Sequence, residues 1–65
     1  MSTREIIGEL RSVGVTLERV SDELDYREMA GIGENETNCG WDDDLYRYSG
    51  TELSAAEEML TKGGI

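Results

Sequence analysis

Histidine, proline and phenylalanine are absent from the 65-residue chain, and cysteine and tryptophan each occur once. Without histidine there is no ordinary Ser–His–Asp or Cys–His pair, and Cys39 has no imidazole to draw off its proton. One cysteine and no histidine also leave no zinc ligand set. A lone cysteine forms no internal disulfide, which suits a reducing cytoplasm. No stretch approaches the ~20 apolar residues of a membrane span, and the first residues lack the apolar run of a signal peptide. The expectation is therefore a cytoplasmic chain with no membrane partner. Without proline no linker is marked, and no repeat or low-complexity tract interrupts the sequence, so residues 1–65 read as a single small acidic domain. Leu, Ile and Val number 13 of 65, near the fraction below which a highly charged chain stays unfolded. Their patterning favours folding.

Acid is what the chain has in excess. Fifteen Asp and Glu against six Lys and Arg give a net charge of −9. The excess is concentrated: residues 18 to 44 hold ten of the acids against only Arg19 and Arg27, a local charge of −8. Such a block repels nucleic acid and anionic membrane and attracts basic surfaces. Direct nucleic-acid binding, which needs a cationic face for phosphates, is excluded by sign.

The residues at the ends of the chain form clear helices. "STREIIGELRSVG" begins with a Ser2/Glu5 capping box, places Ile6, Ile7, Leu10 and Val13 on one face, and stops at Gly14, predicting a helix over about 2–13. "GTELSAAEEMLTKGG" predicts a second over about 51–62. Thr51 or Ser54 can cap it, Ser54 and Glu57 repeat the capping box, Leu53, Ala56, Met59 and Leu60 form the buried face, and Gly63 ends it.

Between them the signal divides. Leu17, Val20 and Leu24 are spaced three and four apart, as in a helix. Yet Val15 and Leu17, and then Leu24 and Tyr26, alternate with polar residues around "SDE", as in a hairpin. "ELRSVGVTLERVSDELDYR", residues 9 to 27, resembles the start of the TubC-type N-terminal docking domain: a short helix ending Leu-Arg-x-x-Gly-Val-x-Leu, then a hairpin whose return strand reads Leu-x-aromatic-or-Val-Arg. Leu10, Arg11, Gly14, Val15, Leu17, Asp22, Leu24, Tyr26 and Arg27 fall in register without a gap. The resemblance covers about a third of the chain and stops at residue 28. It implies an α+β fold with a β-hairpin over about 15–28, to which "LYRYS" can add a third strand at about 45–48. "EMAGIGENETNCGWDDD" reads as a long loop.

No motif carries chemistry. An EF-hand loop opened at Asp42 would need Gly at its sixth position and Glu at its twelfth, but these are Arg47 and Leu53. Cys39 reads as a small core residue, so no cofactor, no metal and no enzyme are expected.

What remains is a surface. Glu18, Asp22, Glu23, Asp25 and Glu28 on and about the hairpin, with Asp42, Asp43 and Asp44 on a neighbouring loop, can present carboxylates at about 6 to 7 Å along a strand face. That is close to the spacing of phosphates. Trp41 and Tyr46 can anchor the contact, with Trp41 and one tyrosine at least half buried. In size and charge the chain is similar to phage-encoded anti-CRISPR and anti-restriction proteins. The likeness implies a DNA mimic, monomer or weak dimer, that blocks a host nucleic-acid-binding protein such as a CRISPR-Cas subunit. Two alternatives stand beside it. One is a TubC-like docking module that accepts a partner by strand addition, and the other is an acidic accessory protein that masks a basic partner.

Overall fold

The computed structural model describes residues 2–63, which form three α-helices: α1 (Thr3–Ser12), α2 (Leu17–Ala30) and α3 (Gly50–Thr61). No strand occurs among the described residues. The expected α+β architecture is thus corrected to an all-helical one, and the hairpin at 15–28 is replaced by α2 and the turn that precedes it.

α1 forms much as its sequence predicts. The Ser2 side chain accepts from the Glu5 amide, and Ile6, Ile7 and Leu10 are buried, whereas Val13, expected on the same face, is the C-cap and is 47% exposed. Gly14 takes a left-handed φ of 78°. Its amide then donates to Arg11 and that of Val15 to Leu10, the paired bonds of a Schellman stop. That turn delivers Val15 to the core.

α2 is where the hairpin reading fails, and the reason is the chemistry of its inward face. Thr16 caps the start by accepting from the Arg19 amide, and Gly31 closes the end at φ 74°. The buried residues between them are Val20, Glu23 and Arg27, with Leu24 packed at the edge of the core. Positions 20, 23, 24 and 27 are one helical stripe. Two of its four residues are charged, so the apolar period breaks and the remaining hydrophobics imitate alternation. Tyr26, which a hairpin would put on the same side as Leu24, is 38% exposed.

The segment 45–48 is a turn rather than a third strand. The amides of Leu45 and Tyr46 both reach Asp42 O, and that of Tyr48 reaches Leu45 O. Leu45 and Tyr48, three apart, are therefore the buried pair, where a strand would have paired 45 with 47. Ser49, not Thr51 or Ser54, caps α3, and its capping box is closed by Glu52. α3 packs against both α1 and α2, and Leu53 and Ala56 lie at the centre of the core with Leu45 and Val20.

A loop of residues 31–49 therefore supplies two core residues without regular structure of its own. If Leu45 is core rather than covering, Leu45→Ala should cost about 2–4 kcal/mol in urea unfolding. By contrast, a Cβ at exposed Gly8 in α1 meets nothing within 4 Å, so Gly8→Ala should stabilise by about 0.5–1 kcal/mol.

Candidate protein-binding face

The long loop lies beside α2 and is held there by charge. Glu23 is fully buried and Arg27 nearly so. The Arg27 Nε donates to Glu23 Oε2 at 2.6 Å, one helical turn away. The other Glu23 oxygen, Oε1, accepts the amides of Trp41 and Asp42, each at 2.9 Å. Arg27 Nη1 and Nη2 donate to the carbonyls of Tyr48 at 2.6 Å and Leu45 at 3.1 Å. One buried ion pair thus satisfies four backbone groups of the loop. The approach is close: a Cβ at Gly40 would sit 2.2 Å from Glu23 Oε2, so only glycine fits.

A second clamp lies one turn earlier. Arg19 grips Asp42 through Nε at 2.9 Å and Nη2 at 2.6 Å, and Nη2 also reaches Asp44 at 2.8 Å. These bonds hold the Asp42 carboxyl below the usual carboxylate range and raise Arg19 above its ordinary value. Asp42 favours the folded state at neutral pH, and that contribution is lost as pH falls through its lowered pKa. A third contact closes the far side, where the Tyr48 hydroxyl donates to Glu9 of α1. Burial first, and that bond second, push the Tyr48 hydroxyl up to about 12.

These contacts divide the acids expected to meet a partner. Glu23 is buried within the scaffold, and Asp42 and Asp44 face Arg19. Glu18, Asp22, Asp25, Glu28 and Asp43 are exposed. At about 100° per residue, Glu18, Asp22 and Asp25 fall on one outward stripe of α2, while Glu28 is turned roughly a sixth of the way round from Asp25. Asp22, expected on or about a hairpin, stands in the body of α2.

Trp41 is 59% exposed rather than half buried, and the tyrosine that goes inside is Tyr48 at 3%. Trp41 packs beside Tyr26, ring centroids 6.1 Å apart and planes tilted by 41°. With Met29, Asp22 and Asp25 they line an open hollow of about 290 Å³. Tyr46 is also exposed but lies outside it. Tyr26 was not legible as a surface residue while its segment read as a hairpin, nor was Met29 placed beside it while it read as part of the long loop; on a helix, the spacing 22, 25, 26, 29 marks one face. A wider groove of about 830 Å³ runs between the end of α2 and the start of α3, with Asp25, Glu28, Glu34 and Glu57 among its lining residues.

Among the described residues no group of three or more His, Cys, Asp or Glu is arranged to hold a metal ion. No helix among them is long and apolar enough to cross a membrane. No family model, curated protein or solved structure matches the chain.

Replacing both members of a simple buried ion pair by apolar residues is often neutral, whereas removing one costs about 3–5 kcal/mol. Here the double replacement would orphan the loop's backbone groups as well. Arg27→Leu should therefore lose about 3–5 kcal/mol in urea unfolding, and adding Glu23→Leu should not restore it. The raised Tyr48 pKa stabilises the fold fully below pH 10.0, its ordinary value, and the effect fades as pH rises towards about 12. Unfolding curves across that window should show a shallower loss of stability in Tyr48→Phe than in the wild type.

Proposed function

We propose that this chain is a small protein-binding module whose outward α2 face takes a cationic surface on another protein. In its most specific form it acts as an inhibitor that occupies the DNA-binding groove of a nucleic-acid-targeting complex. The observation that carries this reading is the direction of the charges. Both arginines of the acidic block are engaged within the scaffold, Arg27 with Glu23 and Arg19 with Asp42 and Asp44. The stripe Glu18, Asp22 and Asp25 is exposed, and the arginines nearest to it in sequence, Arg19 and Arg27, make their ion pairs with Asp42, Asp44 and Glu23. Carboxylates so placed steer a basic partner into contact and bind it with strong dependence on salt.

The stripe also supports substitution for DNA. Successive rises along α2 are about 6 Å from Glu18 to Asp22 and about 4.5 Å from Asp22 to Asp25, one to two times the axial step of about 3.4 Å between phosphates of one strand. Docking by strand addition has no support here, since it needs a strand edge and the described residues contain none.

The test is affinity capture from a bacterial lysate with the wild type and with Glu18→Lys/Asp22→Lys/Asp25→Lys, whose substituted positions are all exposed. The wild type should retain a basic protein that is released by salt and displaced by duplex DNA. The variant, with unchanged far-UV circular dichroism, should retain at least tenfold less. Equal retention by the variant would dismiss the acidic face as the binding surface. Failure of DNA to compete would remove the mimicry while leaving a protein-binding role.

A further inference from the structure

Among the described residues the most exposed large hydrophobics, Met29 at 86% and Trp41 at 59%, come together with Tyr26 on the acidic side of α2. A fold with only 13 Leu, Ile and Val residues would bury such side chains if packing alone decided their place. Clustered apolar side chains left outside and rimmed by charge mark a contact site. We propose that the hollow lined by Tyr26 and Trp41 takes the guanidinium of an arginine on the cationic partner. The proposal deepens the reading of α2 as an acidic binding face and rests on it.

The chemistry of the hollow selects the ligand. Its two rings touch at a tilt of 41° with centroids 6.1 Å apart, and both are exposed along the open hollow that they line. Asp22 and Asp25 stand at the rim, less than one helical turn apart. Anions are refused, and a nucleotide base that could stack on the rings would bring its phosphate against the two carboxylates. A neutral apolar side chain would fill the hollow but leave those carboxylates without partners. A cation answers both demands, by cation–π attraction to the rings and by hydrogen bonds to the acids. Between the two cationic side chains the geometry favours arginine. Its guanidinium is planar, weakly hydrated and forked, so it can stack in an open hollow and still reach a carboxylate. A lysine ammonium is compact and strongly hydrated, and gains less from a site this open.

The hollow is also held in place before any ligand arrives. The Trp41 amide donates to Glu23 Oε1, so the buried ion pair that orders the loop also fixes the backbone beneath the ring. Tyr26 stands on α2 itself. Pre-set aromatic side chains lose little entropy on binding and are typical anchors in interfaces.

Trp41 is the only tryptophan, so its fluorescence reports on the hollow directly. The full chain would be titrated at low salt with two peptides of equal length and charge, one carrying arginines and the other lysines at the same positions. The arginine peptide should perturb Trp41 emission and bind about three- to fivefold more tightly, the range expected for an exposed cation–π contact. Tyr26→Leu, at an exposed position, should bring the arginine peptide down to the affinity of the lysine peptide. Equal affinities in the wild type would overturn the arginine site and leave the acidic face standing. An arginine preference that survives Tyr26→Leu would equally overturn the ring pair as its source. A concentration-dependent change in Trp41 emission without peptide would assign the hollow to a second copy of the chain instead. If neither peptide binds, this site and the acidic face fall together.

Discussion

The ion pair between Glu23 and Arg27 is the constraint on which the rest of the structure depends. A loop without regular structure leaves its amides and carbonyls unpaired, and burying such groups without partners costs about 1–3 kcal/mol each. Aliphatic side chains on α2 could cover the loop but could not bond to it. A carboxylate and a guanidinium can, and they meet the loop from opposite polarities. Glu23 takes two amides, and Arg27 gives to two carbonyls. No buried side-chain nitrogen or oxygen among the described residues is left without a hydrogen bond. Desolvating two charges is expensive, so the pair is poorly explained as a source of net stability. It is better explained as the device that fixes where residues 41–48 lie, and therefore that Leu45 and Tyr48 point into the core.

The same device determines the charge pattern outside. Arg19 and Arg27 are the only bases between residues 18 and 44, and both are turned toward the loop. Three carboxylates go with them. What is left on the exterior of the block is acid, so the surface asymmetry follows from the packing of the loop rather than from composition alone. Gly40 links the two levels. It lets the chain pass against Glu23, and the next residue is Trp41, whose ring then emerges beside Tyr26. The anchor for the loop and the placement of the aromatic hollow are consequences of a single set of contacts.

How far this could be read from sequence differed by element, for physical reasons. α1 was legible because its buried face is apolar throughout and its ends carry Ser2 and Gly14. The body of α3 was legible for the same reason, though its cap was placed at Thr51 or Ser54 instead of Ser49, because serine and threonine recur there. α2 was not legible. Hydrophobic periodicity assumes that inward positions are apolar, and Glu23 and Arg27 occupy two of them. With those positions counted as surface, what remained matched an alternating strand pattern and fell into register with a hairpin motif. Two signals for a helix were available: the three-and-four spacing of Leu17, Val20 and Leu24, which the hairpin resemblance outweighed, and the i,i+4 spacing of Glu23 and Arg27, which an exposed pair has too. The size and sign of the acidic block were visible in composition. Its division into scaffold and surface was not, because it depends on which carboxylates Arg19 and Arg27 reach across the fold. Trp41 was misplaced for a related reason: burial was inferred from the shortage of aromatics, while Leu45 and Tyr48 already fill the space under the loop.

Presentation on a helix rather than a strand changes what the acidic face can imitate. A flat hairpin could have spread its charges in two rows, like the two strands of a duplex. α2 offers one convex stripe, and its 14 residues span roughly 21 Å, room for a few phosphate equivalents along one strand. A charge surface that short supplies steering and orientation, but it is weakened by salt and lacks the reach of a long DNA contact. Affinity at physiological ionic strength then requires a contribution that salt does not screen. On the proposed reading the aromatic hollow beside the stripe would provide it: the carboxylates would govern the rate of encounter, and the ring contacts how long the complex lasts. A groove built for DNA alone would reward the first feature and ignore the second. The partner we propose for this face is therefore a basic protein surface with a projecting cationic side chain, of the kind that contacts phosphates when nucleic acid is bound.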